Sequence, residues 1–443
     1  MDYEQALVFL ESPARFSPRL GLARIERLLE LLGNPQKSFP SVLIAGTSGK
    51  GSSCRLISSA LSAAGFRTGL LSKPHLQSYR ERVEIDGQRI AKASLATIVE
   101  RIVPLAQGLA ETPLGAPTYF EMGVALAFSY FAQEHVELAV VEVGLGGRLD
   151  ATNVLRPILT GITPIGFDHT EYLGHTLTEI AGEKAGILKP GVPVVLAPQH
   201  PEAHTAIRRR AAEVGSPIIA SEDWQVHLDS ADLYGQRFDL EQATPGSGSQ
   251  KSEVRKYGGL FLPLLGRHQL GNAAFALTAL ERLREEGFSW EEKHLRQAWA
   301  DLRWPGRAEV LQERPLLVID AAHNPDKAAA LAETIRDYFS FRQLALVFGA
   351  SGDKDIGTML ALFAPWQPRL FATQAQSERA LAADQVRILG VAAGLSGETF
   401  PSVTDAVRQA LRWASPRDMV LVTGSTYVAG EARDLYFPAD ADP

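Results

Sequence analysis

The sequence predicts an α/β fold of two lobes in series, each built on a mainly parallel sheet. Three observations carry this reading. The chain has 443 residues, more than one ordinary domain holds and a natural length for two. Short apolar, β-branched runs ending in Gly, Asp, Glu or His alternate with longer helical patterns, as strand–helix–strand crossovers do. These runs also fall into two series separated by a long interval.

The first series comprises SVLIAG (41–46), RTGLLS (67–72), ELAVVEVG (137–144), RPILTGIT (156–163), VPVVLAP (192–198) and SPIIA (216–220). The second comprises PLLVIDAAH (315–323), LALVFGAS (344–351), RLFAT (369–373) and DMVLVTGS (418–425), with helical patterns such as Pro325 to Tyr338 between them. Between the two series a helical pattern runs into Trp304-Pro305-Gly306, and Pro followed by Gly breaks a helix. The lobes are therefore drawn as 1–300 and 301–443. The Gly/Ser-rich, charged segment 241–259 is read as a loop.

Composition narrows the function classes. With 45% hydrophobic and 21% charged residues, the chain is neither disordered nor collagenous. Its net charge of −7 divides into −3 and −4 between the two lobes. No global basic field attracts nucleic acid or anionic lipid, so any phosphate must be held by a local site. The single Cys54 excludes a disulfide framework and fits a reducing compartment, with the cytoplasm as the expected location. The N-terminus carries acids where a secretion signal would be basic, and the apolar stretch from Met122 to Ala132 falls short of the roughly 20 residues that span a bilayer.

The clearest chemical signal is SVLIAGTSGKGSSCRLISSALSAAG, a buried strand entering a Gly-rich turn from which a small-residue helix starts near Lys50. Gly46, Gly49 and Gly51, with Thr47 and Ser48 between them, let backbone N–H groups approach phosphate oxygens, and a helix N-terminus favours an anion. Lys50 adds a point charge, and the Ser52 hydroxyl is placed to reach a magnesium ion on the phosphates. The general phosphate-loop pattern is met imperfectly, since Ile44 replaces its first glycine and Gly51 separates Lys50 from Ser52. Glu142 and Asp168-His169 follow strands of the same series. Taken singly they read as loop caps, but their shared position at the ends of parallel strands argues for ligands beside the phosphate loop.

Gly-Thr-Ser-Gly-Lys-Gly-Ser (46–52) resembles the loop variant of the folylpolyglutamate synthase and dihydrofolate synthase family, a branch of the Mur ligases. TYFEMGVALAFSYF (118–131), EVGLGGRLDATN (142–153), DHTEYLGHTLTEIAGEKAGILKPGVPV (168–194), LLGRHQLGNAAFAL (264–277), WPGRAEV (304–310), IDAAHNP (319–325), FGASGDKD (348–355) and TGSTYVAGEAR (423–433) continue the resemblance in order. It implies a P-loop-containing, Mur-ligase-like N-terminal ATP-binding lobe and a smaller, Rossmann-like α/β C-terminal lobe that closes over the nucleotide.

The resemblance also implies residue roles. Glu142 and His169 bind magnesium, and Lys184 is carbamylated. Asn272 contacts adenine, Arg307 reaches the phosphates, Asp320 holds the ribose and His323 lies near the transferred phosphate. Lys50, Lys184 and His323 are thus the catalytic candidates. Gly21, Leu22, Tyr119, Phe120, Glu121 and Arg148 fall where the family holds its pterin acceptor, although Tyr119 and Phe120 read equally well as helix packing. One departure stands out: the family's Thr-Ser-Pro-His, whose Ser lies near a metal, is Ser72-Lys73-Pro74-His75 here. An ammonium has no lone pair for a metal, so Ser72 or water is the ligand instead, or Lys73 meets phosphate directly.

The implied reaction is ATP-dependent amide ligation. L-glutamate is joined to dihydropteroate or to a reduced folate through an acyl phosphate, with ATP and magnesium as cofactors and small molecules as partners, in a monomer that binds neither nucleic acid nor membrane. Competing readings are another Mur-type amino-acid ligase, disfavoured because only 45 residues precede Gly46, and a non-catalytic nucleotide switch, which leaves Lys184, Arg307 and the second-lobe motifs without a role.

Overall fold

The apolar runs become the parallel strands of two large sheets in the computed structural model, which describes residues 1–11, 21–244 and 253–439. The first sheet contains β1 (Ser41–Ala45), β2 (Thr68–Leu71), β3 (Val83–Ile85), β4 (Gln88–Arg89), β5 (Leu138–Glu142), β6 (Leu159–Ile162), β7 (Val194–Leu196) and β8 (Ile218–Ala220). Their order is β4-β3-β2-β5-β1-β6-β7-β8. Every residue of β1 and β5 is buried, because helices cover both faces and a strand so enclosed must be apolar throughout. β1 is paired in parallel with β5 on one side and β6 on the other. The chain turns both ways from β1, so a crevice opens beyond its C-terminal end, where α/β sheets bind ligands.

A smaller antiparallel sheet follows, with β9 (Gln225–Asp232), β10 (Gly235–Thr244) and β11 (Glu253–Leu262) in the order β11-β10-β9. This corrects the reading of 241–259 as a loop: β10 and β11 occupy its two ends, while 245–252 lie outside the described residues. Charged residues face solvent along these strands, whereas Phe238, Leu240, Leu260 and Leu262 are buried against the helices Arg267–Glu285 and Glu292–Ala300. The alternation was in the sequence, but the Gly/Ser run between the strands masked it.

The third sheet contains β12 (Glu309–Glu313), β13 (Leu316–Ile319), β14 (Leu344–Phe348), β15 (Arg369–Ala372), β16 (Ser396–Thr399) and β17 (Met419–Thr423) in the order β12-β13-β17-β14-β15-β16. All neighbours are parallel except β12, which runs antiparallel to β13. Separate apolar clusters fill its two faces. Among the described residues no helix is long and apolar enough to cross a membrane.

Trp299 joins the antiparallel sheet to the first sheet's helix layer. It is fully buried, stacks on Phe238 at 6.5 Å and donates its indole N–H to the Leu56 carbonyl at 3.2 Å. Trp299→Ala removes this packing and the indole hydrogen bond, leaving the Leu56 carbonyl to the Ser59 hydroxyl. It is expected to destabilise the protein by about 3–5 kcal/mol, seen as a lower urea midpoint in unfolding followed by circular dichroism.

Candidate active site

Beyond β1 the chain makes the Gly-rich turn and enters the helix Lys50–Ala63. Gly46 has φ +148° and a Cβ there would lie 1.9 Å from Thr163 Oγ1. Gly49, at φ +83°, leaves room for the Asn272 amide, which a Cβ would meet at 2.3 Å. The Thr47 and Ser48 N–H groups both donate to the Pro164 carbonyl, at 3.0 and 3.2 Å. The backbone donors left for an anion are therefore those of the helix's first turn.

This turn forms one wall of a cleft of about 420 Å³, whose lining includes Ser52, Lys73, Glu142, His169, Lys184, Asn272, Arg307, Asp320, His323 and Lys327. Lys50 Nζ donates to the carbonyls of Gly46 at 3.0 Å and Thr47 at 3.3 Å, and lies 4.0 Å from Glu142. Lys184 Nζ, buried in the helix Leu177–Ala185, donates to the same Gly46 carbonyl at 2.9 Å. Burial, reinforced by the Lys50 charge, holds the Lys184 ammonium down to about 7. Lys73 is likewise lowered, to about 8, by burial and by Lys50, and its Nζ lies 5.6 Å from the Phe120 ring centre.

The donors Ser52, Glu142 and His169 all line the cleft. Glu142 is buried and accepts the Lys73 backbone N–H at 3.0 Å, which orients its carboxylate. Burial, which outweighs the pull of Asp168, lowers His169 to about 4, so its imidazole is neutral at pH 7 and keeps a free lone pair. Among the described residues no three His, Cys, Asp or Glu side chains form a closed metal cage. One carboxylate, one imidazole and one hydroxyl fit magnesium all the same, since that ion keeps several waters and takes substrate phosphates. Ser72 stands outside the cleft. Its N–H and hydroxyl engage the carbonyls of Arg82 and Glu81 at 3.0 and 3.4 Å, and it borders a small pocket shared with Lys73, Phe120 and Glu142.

The opposite wall comes from the second lobe. The Asp320 carboxylate accepts the backbone N–H groups of Ala308 at 2.8 Å and Ala322 at 2.7 Å; it pins the turn carrying Arg307, and burial raises its pKa. His323 Nδ1 lies 2.9 Å from the Ala321 carbonyl and Nε2 lies 2.9 Å from Lys327 Nζ. A carbonyl only accepts, so Nδ1 carries the ring proton and Nε2 receives from the ammonium. In this arrangement both ring nitrogens of the neutral imidazole are engaged within the second lobe. Asn324 caps the helix Pro325–Tyr338 by accepting the Lys327 N–H at 2.9 Å. Its amide also donates across the lobes to Asp168 at 3.1 Å. Lys354 lies 3.9 Å from the same carboxylate. Burial opposes ionisation of Asp168, but His169, Lys327 and Lys354 together hold it below its usual range.

Sequence reasoning missed Asn324, Lys327 and Lys354. The signals were the Asn-Pro helix start and the four-residue step from His323 to Lys327, one helical turn apart.

Of the residues assigned to the acceptor, Leu22, Tyr119 and Phe120 pack against one apolar cluster of the first lobe. Phe120 borders the small pocket. Tyr119 packs edge-on to Tyr79 at 6.0 Å, with the Arg82 guanidinium 5.0 Å from its ring. Glu121 is buried, caps its own helix with Thr118 and pairs with Arg24 at 2.9 Å. Arg148 is exposed and paired with Glu183 at 2.8 Å. Leu22 packs partly buried against the first-lobe core, and Gly21 precedes it at φ +135°.

Comparison with known proteins gives a consistent family. The Mur ligase middle domain matches residues 44–280, and the Mur ligase glutamate ligase domain matches 306–426. The dihydrofolate synthase/folylpolyglutamate synthase of Bacillus subtilis is 35% identical over 97% of this chain and 98% of its own. The Mycobacterium tuberculosis folylpolyglutamate synthase complexed with ADP superposes with a TM-score of 0.88 at 33% identity, over 98% of this chain and 99% of that one. A bifunctional folylpolyglutamate synthase/dihydrofolate synthase with Mn, AMPPNP and L-glutamate bound superposes at 0.82 and 30% identity, over 98% of both chains.

Gly46→Ala puts a methyl group into Thr163 in a backbone region that disfavours side chains. It is expected to weaken ADP binding about tenfold or more through a displaced loop, measured by isothermal titration calorimetry.

Proposed function

Because the chain belongs to the folylpolyglutamate synthase and dihydrofolate synthase family of Mur ligases, we propose that it joins L-glutamate to dihydropteroate, to a reduced folate, or to both, at the expense of ATP. The observation that carries the reading is the convergence of the phosphate loop, Glu142 and His169 with Arg307, His323 and Lys327 of the second lobe in one cleft.

A free carboxylate is a poor electrophile, so it must first be activated. An acceptor carboxylate oxygen attacks the γ-phosphorus of ATP. The bond to the β,γ-bridging oxygen breaks, and ADP leaves with the electron pair. The glutamate amine then attacks the acyl carbon, phosphate departs, and the nitrogen loses a proton to give the amide. Lys50 and Arg307 offset charge on the transferring group, and Glu142 orients through the Lys73 N–H. Ser52, Glu142 and His169 would hold magnesium, which supplies further charge neutralisation on the phosphates. Lobe closure around the cleft keeps water from the acyl phosphate. We draw the two lobes as 1–300 and 301–443 and read the protein as a cytoplasmic monomer.

The amine of Lys184 suits carbamylation. A neutral amine attacks carbon dioxide and loses a proton, so the buried cation becomes a carboxylate-bearing anion. An ammonium lowered to about 7 supplies that neutral form near physiological pH, and the supply falls as pH drops through 7. Lys184→Ala is expected to lose about 10–100-fold in activity, and wild-type activity in carbon dioxide-depleted buffer should recover when bicarbonate is added. Full activity of Lys184→Ala would remove the carbamate from the mechanism.

Phosphate release from ATP should depend on glutamate and on one of two acceptors, dihydropteroate or tetrahydrofolate, assayed separately. Absence of glutamate-dependent release with both acceptors overturns the ligase reading.

A further inference from the structure

In the second lobe, Lys327 lines the cleft together with Arg307. Its Nζ is 2.9 Å from His323 Nε2, and the His323 ring is fixed on its other side by the Ala321 carbonyl at 2.9 Å. One ammonium N–H is thereby directed at the ring and two remain. The charges that act on this ammonium are those of Lys50, Asp168, Arg307 and Glu142. These groups line the same cleft as the phosphate loop and the magnesium donors.

The backbone beneath Lys327 is tied to the first lobe. Asn324 accepts the Lys327 N–H at 2.9 Å and donates to Asp168 at 3.1 Å. Asp168 follows β6 and adjoins His169, so one of the bonds between the lobes also helps to set the position of the Lys327 backbone. The ammonium has both cations and carboxylates about it and one imidazole nitrogen as its hydrogen-bond partner, which leaves two N–H groups for an incoming anion.

Resting on the ligase reading, we propose that Lys327 is a further catalytic residue: its ammonium meets the γ-phosphoryl group of ATP, and His323 is its positioning residue. Lys327 then does from the second lobe what Lys50 does from the first. The phosphoryl group, as its bond to ADP lengthens, is flanked by cations on both sides. Burial and the Lys50 charge hold the ammonium down to about 7 in the absence of nucleotide, and phosphate oxygens alongside it favour the protonated form.

The experiment compares wild type with Lys327→Met, Lys327→Gln and Lys327→Arg. ADP and the β,γ-methylene analogue AMPPCP, each with magnesium chloride, are titrated by calorimetry; kcat and the KM for glutamate are measured with the better acceptor. The proposal expects ADP affinity within about twofold of wild type in Lys327→Met, which also shows that the variant folds. It expects AMPPCP affinity down about tenfold and kcat down about a hundredfold, with partial recovery in Lys327→Arg. As a positioning residue, His323 should tolerate His323→Gln, whose carbonyl can still accept from the ammonium, better than His323→Leu.

Unchanged AMPPCP affinity and kcat in both Lys327→Met and Lys327→Gln overturn the proposal. So does a rise in glutamate KM with kcat intact, which would assign the ammonium to the amino-acid carboxylate. If wild type releases no phosphate with either acceptor, the ligase reading fails, and the AMPPCP titration alone still decides whether Lys327 binds the γ-phosphate.

Discussion

One carbonyl organises this molecule. Gly46 O accepts from both Lys50 and Lys184, and through it the phosphate loop, its own helix and the helix Leu177–Ala185 are fixed to one another. The carbonyl can turn inward because residue 46 has no side chain; a methyl group there would overlap Thr163. Burial, and after it the nearby Lys50 charge, oppose ionisation of Lys184. A protein with a net charge of −7 thus concentrates positive charge at one point by backbone geometry, without any basic surface.

The sheet order makes that point accessible. β1 carries the loop, β5 ends in Glu142 and β6 leads to Asp168 and His169, and the three strands are adjacent. Parallel pairing aligns their C-terminal ends, so residues separated by more than a hundred positions share one rim. The second lobe repeats the device: the turn after β13 presents Asp320 and His323.

Legibility in the sequence followed the physics of burial. Ten strands announced themselves as continuous apolar runs, nine of them largely buried and the tenth, β8, an exposed edge strand. The strands that went unread, β3, β4, β12, β16 and the antiparallel β9 to β11, are short, solvent-facing or at sheet edges, where one face is polar and the signal halves. The site divided in the same way. Gly46 to Ser52 and Glu142 lie in a strand–turn–helix pattern whose chemistry is local. Lys327 does not: its short step to His323 is local but common near helix starts, and only lobe packing brings it toward Lys50. Glu121 shows the opposite case, since its place in a capping box and its pair with Arg24 are structural and local pattern alone does not separate that role from ligand binding.

The Asp168–Asn324 hydrogen bond ties the wall that carries Lys327 to the rim that carries His169. A nucleotide bound while the lobes are apart would rest on the phosphate loop but lack the cations of the opposite wall, so its terminal phosphate would be poorly placed for attack by water. Idle hydrolysis is thereby discouraged until both walls have assembled. The bond is one of several across the lobes, with Gln77 held by Asp434 and Arg433 and Gln236 by Tyr338, and any one of them is worth about 1–3 kcal/mol, so it is their sum that sets how firmly the two walls stay together.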